Sequence, residues 1–460
     1  MLKQELLSEV IRKALSNGGE YADVFVEWRR STFILLEDMK IEKVVSGIEQ
    51  GAGIRLIFGG KTAYAFTNDL SEKALLDIAG MLSSSAAQGR FAGALDLRTK
   101  APNVNFVIKQ PPDDVPISRK IGMVKAANDT AMAFDSRIKQ ASVLYRDSAQ
   151  NVQMATSEGE VASDERIHTV SMVNVVAVED GLIQTGYEAA GGLMGFELFD
   201  ESPLEAVALK ASRRAAMMLG ARRAPGGRMP VVISSEAGGT MIHEAIGHGL
   251  EADLSGQGLS VFSGKMGQEV ASRLVSVIDD ATLPNKRGSF RFDDEANPSE
   301  RTVLVKDGVL VGYMYDRLSA MREGAKSTGN GRRESYMHRP MPRMSNTLIA
   351  PGNTPPREVL KATERGLFVR KMGGGQVDTV TGDFVFDVLE GYLIEGGAAA
   401  EPVRGATLTG NGPAVLMAID MVSSDLGFSI GTCGKDSQGV PVSDAMPTIR
   451  IPEMVVGGEV

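Results

Sequence analysis

The chain has 460 residues, 43% hydrophobic and 23% charged, a balance that excludes intrinsic disorder and collagen-like repeats and leaves room for two to four domains. Its 49 basic and 58 acidic side chains leave a net charge of −9, which argues against direct nucleic-acid binding. The single cysteine, Cys433, excludes an intrachain disulfide and suits a reducing cytoplasm, and no run approaches the ~18 apolar residues of a membrane span.

At the N-terminus Leu2, Leu6, Leu7, Val10, Ile11 and Leu15 recur at helical spacing. With Lys3, Glu5 and Glu9 among them they predict an amphipathic helix ended by Gly18-Gly19, not a secretory signal. The short runs ADVFVEW, STFILLED, KIEKVVSGIE, GAGIRLIF and KTAYAFT follow, separated by Gly and Asp turns, the pattern of an antiparallel meander. A helix over SEKALLDIAGMLSSSAA, with Ser71 as N-cap, leads to a boundary marked by Pro111, Pro112 and Pro116. The second segment opens with the helix ISRKIGMVKAANDTAMAF and runs through further strand-like pieces. It closes with a helix over PLEAVALKASRRAAMMLG that ends at Gly220, before the linker ARRAPGGR.

From Met229 onward, MPVVISS predicts a strand and EAGGTMIHEAIGHGLEAD a helix. TVLVKDGVLVGYMYD and FVFDVLEGYLIEGG predict hairpins that turn at Asp-Gly and Glu-Gly. The expected class is α+β: antiparallel-sheet-rich N-terminal and middle segments with flanking helices, then a strand-rich C-terminal domain carrying the metal-site helix. The expected domains are 1–105, 106–225 and 226–460. Arginine clusters at 213–214, 222–223 and 332–333 read as solvated or interface residues, and His168, in a strand-like run, as structural.

The chemistry centres on His243-Glu244-Ala245-Ile246-Gly247-His248, which holds two of the chain's four histidines. Histidines four apart lie about 40° apart on a regular helix, whereas five apart puts them about 140° apart, out of reach of one metal ion. The spacing therefore predicts a helix irregularity over residues 245–249: either one wider π-type turn or a break at Gly247 and Gly249. Two imidazoles leave a catalytic zinc site one ligand short. Cys433 in Gly-Thr-Cys-Gly-Lys is the sharpest third ligand, with Lys435 placed to favour its thiolate. Glu251, Asp253, Glu269 and His338 are its rivals. Glu244 is positioned as the general base acting on a zinc-bound water. The plainer reading is packed histidines and an inert buried thiol.

The string from His243 to Asp253, HEAIGHGLEAD, resembles the signature of the TldD/PmbA family of metallopeptidases, on its TldD side. SVFSGKMG at 260–267, TGNGRRESYMHRPMPRMSNT at 328–347, GGGQVDTVTGDFVF at 373–386 and TCGK at 432–435 agree in the same order. Two departures are Ala252 and Ala296, each where the family pattern has glycine. The resemblance implies zinc held by His243, His248 and Cys433, with Glu244 as base. It also implies a dimer, homodimeric or with a catalytically inactive PmbA-type subunit, whose enclosed site admits unfolded or short peptides. The developing oxyanion needs a donor, for which Tyr336, His338 and Arg343 are named. The alternatives are a dipeptidyl peptidase III-like enzyme, similar in H-E-x-x-G-H alone, and a non-catalytic peptide-binding partner whose metal is structural.

Overall fold

This computed structural model describes residues 1–86 and 95–459. The first helix, Gln4–Ala14, buries Leu7, Val10, Ile11 and Ala14 on one face, as the apolar spacing requires. The second, Glu72–Ser83, is capped by Ser71, whose hydroxyl accepts from the Ala74 amide at 3.3 Å. Residue 87, the end of the longer helix expected there, lies outside the described residues.

Both helices pack on one end of a seven-stranded sheet whose central strands are unusually long. In order these are Lys61–Thr67, Lys40–Phe58, Tyr21–Glu37, Ile138–Thr156, Glu160–Glu179 and Leu182–Gly192, all antiparallel, with Arg98–Thr99 beside Glu160–Glu179 in parallel. Strands of 17 to 20 residues extend about 60 Å, long enough to serve two separate cores. At one end Val24, Ile54 and Leu56 meet Leu7, Val10, Ile11 and Leu75 of the first two helices. At the other, Val143, Tyr145, Val173 and Val175 meet the helices Ile117–Ala133 and Leu204–Gly220 through Val124, Ala127, Ala208 and Ala211. The meander of the first segment and that of the second are joined along Tyr21–Glu37, which pairs with Ile138–Thr156 from Asp23 opposite Thr156 to Glu37 opposite Ser142.

The C-terminal part holds two further sheets around one core. Arg365–Val377 pairs with both Gly227–Ile233 and Asp383–Glu395, and the ring closes through Thr407–Asn411 and Ile449–Gly457. A six-stranded sheet lies beside this barrel, in the order Val309–Leu310, Arg301–Lys306, Val277–Asp280, Asn346–Ile349, Gln438–Met446, Gly427–Lys435. The histidine-bearing segment runs within the common core, with Met241, Ile242, Ala245, Ile246 and Leu250 buried. Burial of each large aliphatic side chain there contributes about 2 kcal/mol, so the segment is anchored by its apolar residues while its polar ones point elsewhere. The α+β class with antiparallel sheets matches the expectation.

Several local expectations need correction. The Asp307-Gly308 turn forms as expected, both residues at positive φ. Glu390-Gly391, however, lies inside the continuous strand Asp383–Glu395, and the chain turns at Gly396-Gly397. Glu390 stays in the strand because it accepts a 2.8 Å ion pair from Arg214. That pair also corrects the reading of the arginine clusters: Arg214, Arg332 and Arg333 are buried, while Arg222 and Arg223 are exposed and face Glu401 and Glu459.

Candidate metal centre

The histidine segment is not one helix. A short 3₁₀ turn at Ser235–Ala237 precedes α-turn residues Thr240–Ile242, a π-turn spans His243–Gly247, and a 3₁₀ turn follows at His248–Leu250. The π-turn takes up the extra residue, so both imidazoles face the same side, with ring centroids 4.9 Å apart at 88°. Glycine is needed at 247 and 249 for room. A Cβ at 247 would collide with Sδ of Met344, and one at 249 would meet the Phe262 ring. Gly247 itself keeps right-handed helical angles (φ −55°, ψ −57°), so its glycine serves packing.

Cys433 arrives from the hairpin of Gly427–Lys435 and Gln438–Met446, where it sits opposite Val440. Its Sγ lies 3.6 Å from Nε2 of His248, and one ligand atom from each of His243, His248 and Cys433 falls within 4.8 Å of the others. The outer ring nitrogens are also fixed. His243 Nδ1 donates to Asp444 at 2.8 Å and His248 Nδ1 to Glu251 at 3.1 Å; a carboxylate partner of this kind leaves Nε2 to face a metal. Asp444 is the residue that motif reading missed. Its signal was slight: one acid in the otherwise apolar and small run GVPVSDAM.

The charges form a self-consistent cluster. Burial opposes protonation of both histidines, yet the neighbouring anions outweigh it. Asp444 and Cys433 hold His243 well above its ordinary range, and Glu251 with Cys433 holds His248 at about 10. Burial would raise the Cys433 thiol, but hydrogen bonds and charge from the two imidazoles bring it down to about 5. Burial raises the Glu244 carboxyl above its usual range, against the lowering pull of His243 and His248. The directions agree: Cys433 gives up its proton more readily than a free thiol and the two histidines hold theirs more firmly than free imidazoles, three groups that can exchange protons for a metal ion.

Three family models match in succession: PmbA/TldA metallopeptidase domain 1 over residues 22–86, the central domain over 110–219 and the C-terminal domain over 226–458. The chain belongs to the PmbA/TldD family. A Haemophilus influenzae protein named a metalloprotease TldD homolog is 37% identical over 448 residues, covering 95% of this chain and 93% of the relative. The fold is shared with a Thermotoga maritima crystal structure described as a modulator of a DNA gyrase, at a TM-score of 0.79 and 20% identity over 95% of this chain and 96% of that one. It is shared too with TldE from Thermococcus kodakarensis, at a TM-score of 0.77 and 16% identity over 99% of each.

Within this PmbA/TldD chain the other named residues have separate positions. Glu251 is the partner of His248, and it also takes a 2.9 Å bond from Lys435 Nζ. Lys435 bonds Asp253 at 2.7 Å as well, so its charge is spent on carboxylates and the histidines lower the thiol instead. Burial raises Asp253 to about 6, with Lys435 opposing. Glu269 is exposed and pairs with Arg273 at 3.0 Å. His338 meets the Ser335 hydroxyl at 3.0 Å, apart from the ligand cluster. Tyr336 packs into the contact with the N-terminal sheet, among Phe25, Val152 and Phe292. Arg343 is fully buried, and its guanidinium donates to the Cys433 and Gln438 carbonyls. It clamps the hairpin backbone, so its role as an oxyanion donor is not favoured.

Proposed function

We propose that this chain is a zinc-dependent peptidase acting on unfolded or short peptides in an enclosed site, with His243, His248 and Cys433 as ligands and Glu244 as general base. The observation that carries the reading is the convergence of those three ligand atoms next to Glu244. Cys433 Sγ lies 3.6 Å from His248 Nε2, and all three ligand atoms fall within 4.8 Å of one another, so one ion could be held by all three. The donor set fits zinc in kind as well, since thiolate and imidazole are its preferred ligands. Asp444 and Glu251 are engaged as ring partners, so among the described residues three ligands converge, the number typical of catalytic sites.

Zinc bound there supplies Lewis acidity to the scissile carbonyl and the attacking water. With zinc held there, Glu244 would take a proton from the attacking water and deliver it to the leaving amine; burial holds its carboxyl above the usual range, which favours accepting that proton. Asp444 and Glu251 hold the two imidazoles in the tautomer that points Nε2 inward. A cytoplasmic location and a dimer, with itself or with a PmbA-type subunit, complete the proposal.

Elemental analysis of purified wild type beside Cys433→Ala tests the site: near-stoichiometric zinc is expected in the first and loss in the second. Glu244→Gln should retain zinc and lose hydrolysis of a broad peptide library by at least about a hundredfold. Full activity in that variant with zinc bound would remove Glu244 from the reaction.

A further inference from the structure

A second cluster of charge lies between the N-terminal sheet and the C-terminal part, on the face of the Cys433 strand opposite the thiol. Side chains alternate along a strand, so with Cys433 turned towards the histidines, Thr432 points the other way, into a cavity of about 210 Å³. The floor of the cavity is a cross-strand ladder: Arg146 opposite Val170, Ser148 opposite His168, Gln150 opposite Arg166. Six arginines line it, namely Arg29, Arg146, Arg166, Arg287, Arg332 and Arg333, against two carboxylates.

Those two carboxylates are already occupied. Asp294 accepts from Arg166 Nη1 and from the Arg333 amide, each at 2.7 Å, and Glu334 accepts from the Gly439 amide at 2.6 Å. Among the described residues Arg287 and Arg332 bond only neutral oxygens, Arg287 at Gly431 and Thr432, Arg332 at Met344 and Pro441. Arg333 is fully buried, with Nη2 3.7 Å from Asp23, and its Nε has no partner. Burial brings Arg287 and Arg332 down to about 10; Arg146 adds to the effect on the first, while on the second Asp294 opposes it and Arg166 and Arg343 add to it. Carboxylates outside the cavity meet three of the six, Arg29 at Glu27 and Glu49, Arg166 at Asp164 and Arg333 at Asp23, which leaves Arg146, Arg287 and Arg332 without an ion pair among the described residues, beside hydroxyl and amide donors from Ser148, Gln150 and Thr432. Guanidinium groups arranged this way recognise planar or tetrahedral oxyanions.

We propose that this cavity is a binding site for a single oxyanion, presented as a peptide carboxylate or as free phosphate. The carboxylate source rests on the peptidase reading above; the site itself does not. Occupation would compensate Arg287 and Arg332, which hold the carbonyls of Gly431 and Pro441 on the hairpin carrying Cys433.

The test is calorimetric titration of inorganic phosphate into wild type, Arg146→Gln, Arg146→Lys and Arg287→Gln. Arg146 is exposed at the rim, so its variants leave the fold intact. Saturable binding is expected, weakened about tenfold or more in Arg146→Gln and Arg287→Gln and largely kept in Arg146→Lys. The second arm uses Glu244→Gln, which prevents turnover, with one peptide bearing a free C-terminal carboxylate and its amidated counterpart. Tighter binding of the carboxylate peptide, displaced by phosphate, assigns the peptide as the source. Equal binding of the two peptides beside Arg146-dependent phosphate binding assigns the free anion. Phosphate and carboxylate binding that are both absent, or both indifferent to Arg146 and Arg287, overturns the site. Wild type that cleaves no peptide while binding phosphate through Arg146 would bring down the peptidase reading and leave this one standing.

Discussion

Ala296 is buried and holds φ at +65°, a left-handed conformation that costs a residue with a Cβ about 1–2 kcal/mol. Such a φ favours glycine, the residue that the resemblance implies at this position. Ala296→Gly should therefore stabilise the protein by up to about 1 kcal/mol, the relieved strain set against ~0.5–1 kcal/mol of added chain entropy; chemical denaturation checks it, and a loss of stability would mean the strain is absent. His168 was legible as structural, but its surroundings were not. Its Nε2 donates to the Arg287 carbonyl at 3.0 Å, and burial, with the charge of Arg287, lowers it to about 3. A folded pKa below the unfolded value of about 6.5 means the unfolded chain binds the extra proton. Stability from this residue is then whole above pH 6.5 and declines as pH falls towards 3. Between pH 7 and 5 wild type should lose roughly 1–2 kcal/mol more than His168→Gln, whose amide can keep the carbonyl bond. Equal losses in the two proteins would show that His168 does not titrate this way.

At the scale of elements, the five-residue interval between His243 and His248 was enough to require a distorted helix, because 100° per residue leaves a regular one no way to align them. The π-turn at His243–Gly247 answers that requirement. What the interval did not contain was the division of the whole segment into short turns, with Gly247 and Gly249 set close against Met344 and Phe262. The strand through Glu390-Gly391 was misread for a related reason: a turn dipeptide carries local preference only, and a buried partner 176 residues away outweighs it. Asp444 lay beyond local reading as well, since its partner is 201 residues distant. Its role is testable at the element it braces. Asp444→Asn, which keeps shape and removes charge, should weaken zinc binding about 10- to 100-fold in a chelator competition. Unchanged affinity would detach the hairpin carboxylate from the metal site.

For the molecule as a whole, the proposed ligands join distant parts of the chain: Cys433 is 185 residues from His248 and reaches it only in the folded state. A metal that binds the native state alone stabilises it by about 4 kcal/mol at a thousand times its dissociation constant. Zinc should therefore raise the unfolding temperature of wild type and leave Cys433→Ala unmoved, a contrast that a thermal melt resolves; an equal rise in both would place the metal elsewhere. The α+β class was legible because period-two runs and amphipathic helices are local signals. The union of both N-terminal meanders in one sheet was not, because strand order is decided by pairings across a hundred residues. That union has a consequence during synthesis. The strand Tyr21–Glu37 finds Lys40–Phe58 at once, but its other edge is completed only when Ile138–Thr156 has left the ribosome. At 5–20 residues per second, about a hundred intervening residues leave a long apolar strand edge open for roughly 5–20 s. Such an edge is a template for pairing with another chain, so the nascent protein is most exposed to misassembly in that interval, well before His243, His248 and Cys433 have been made.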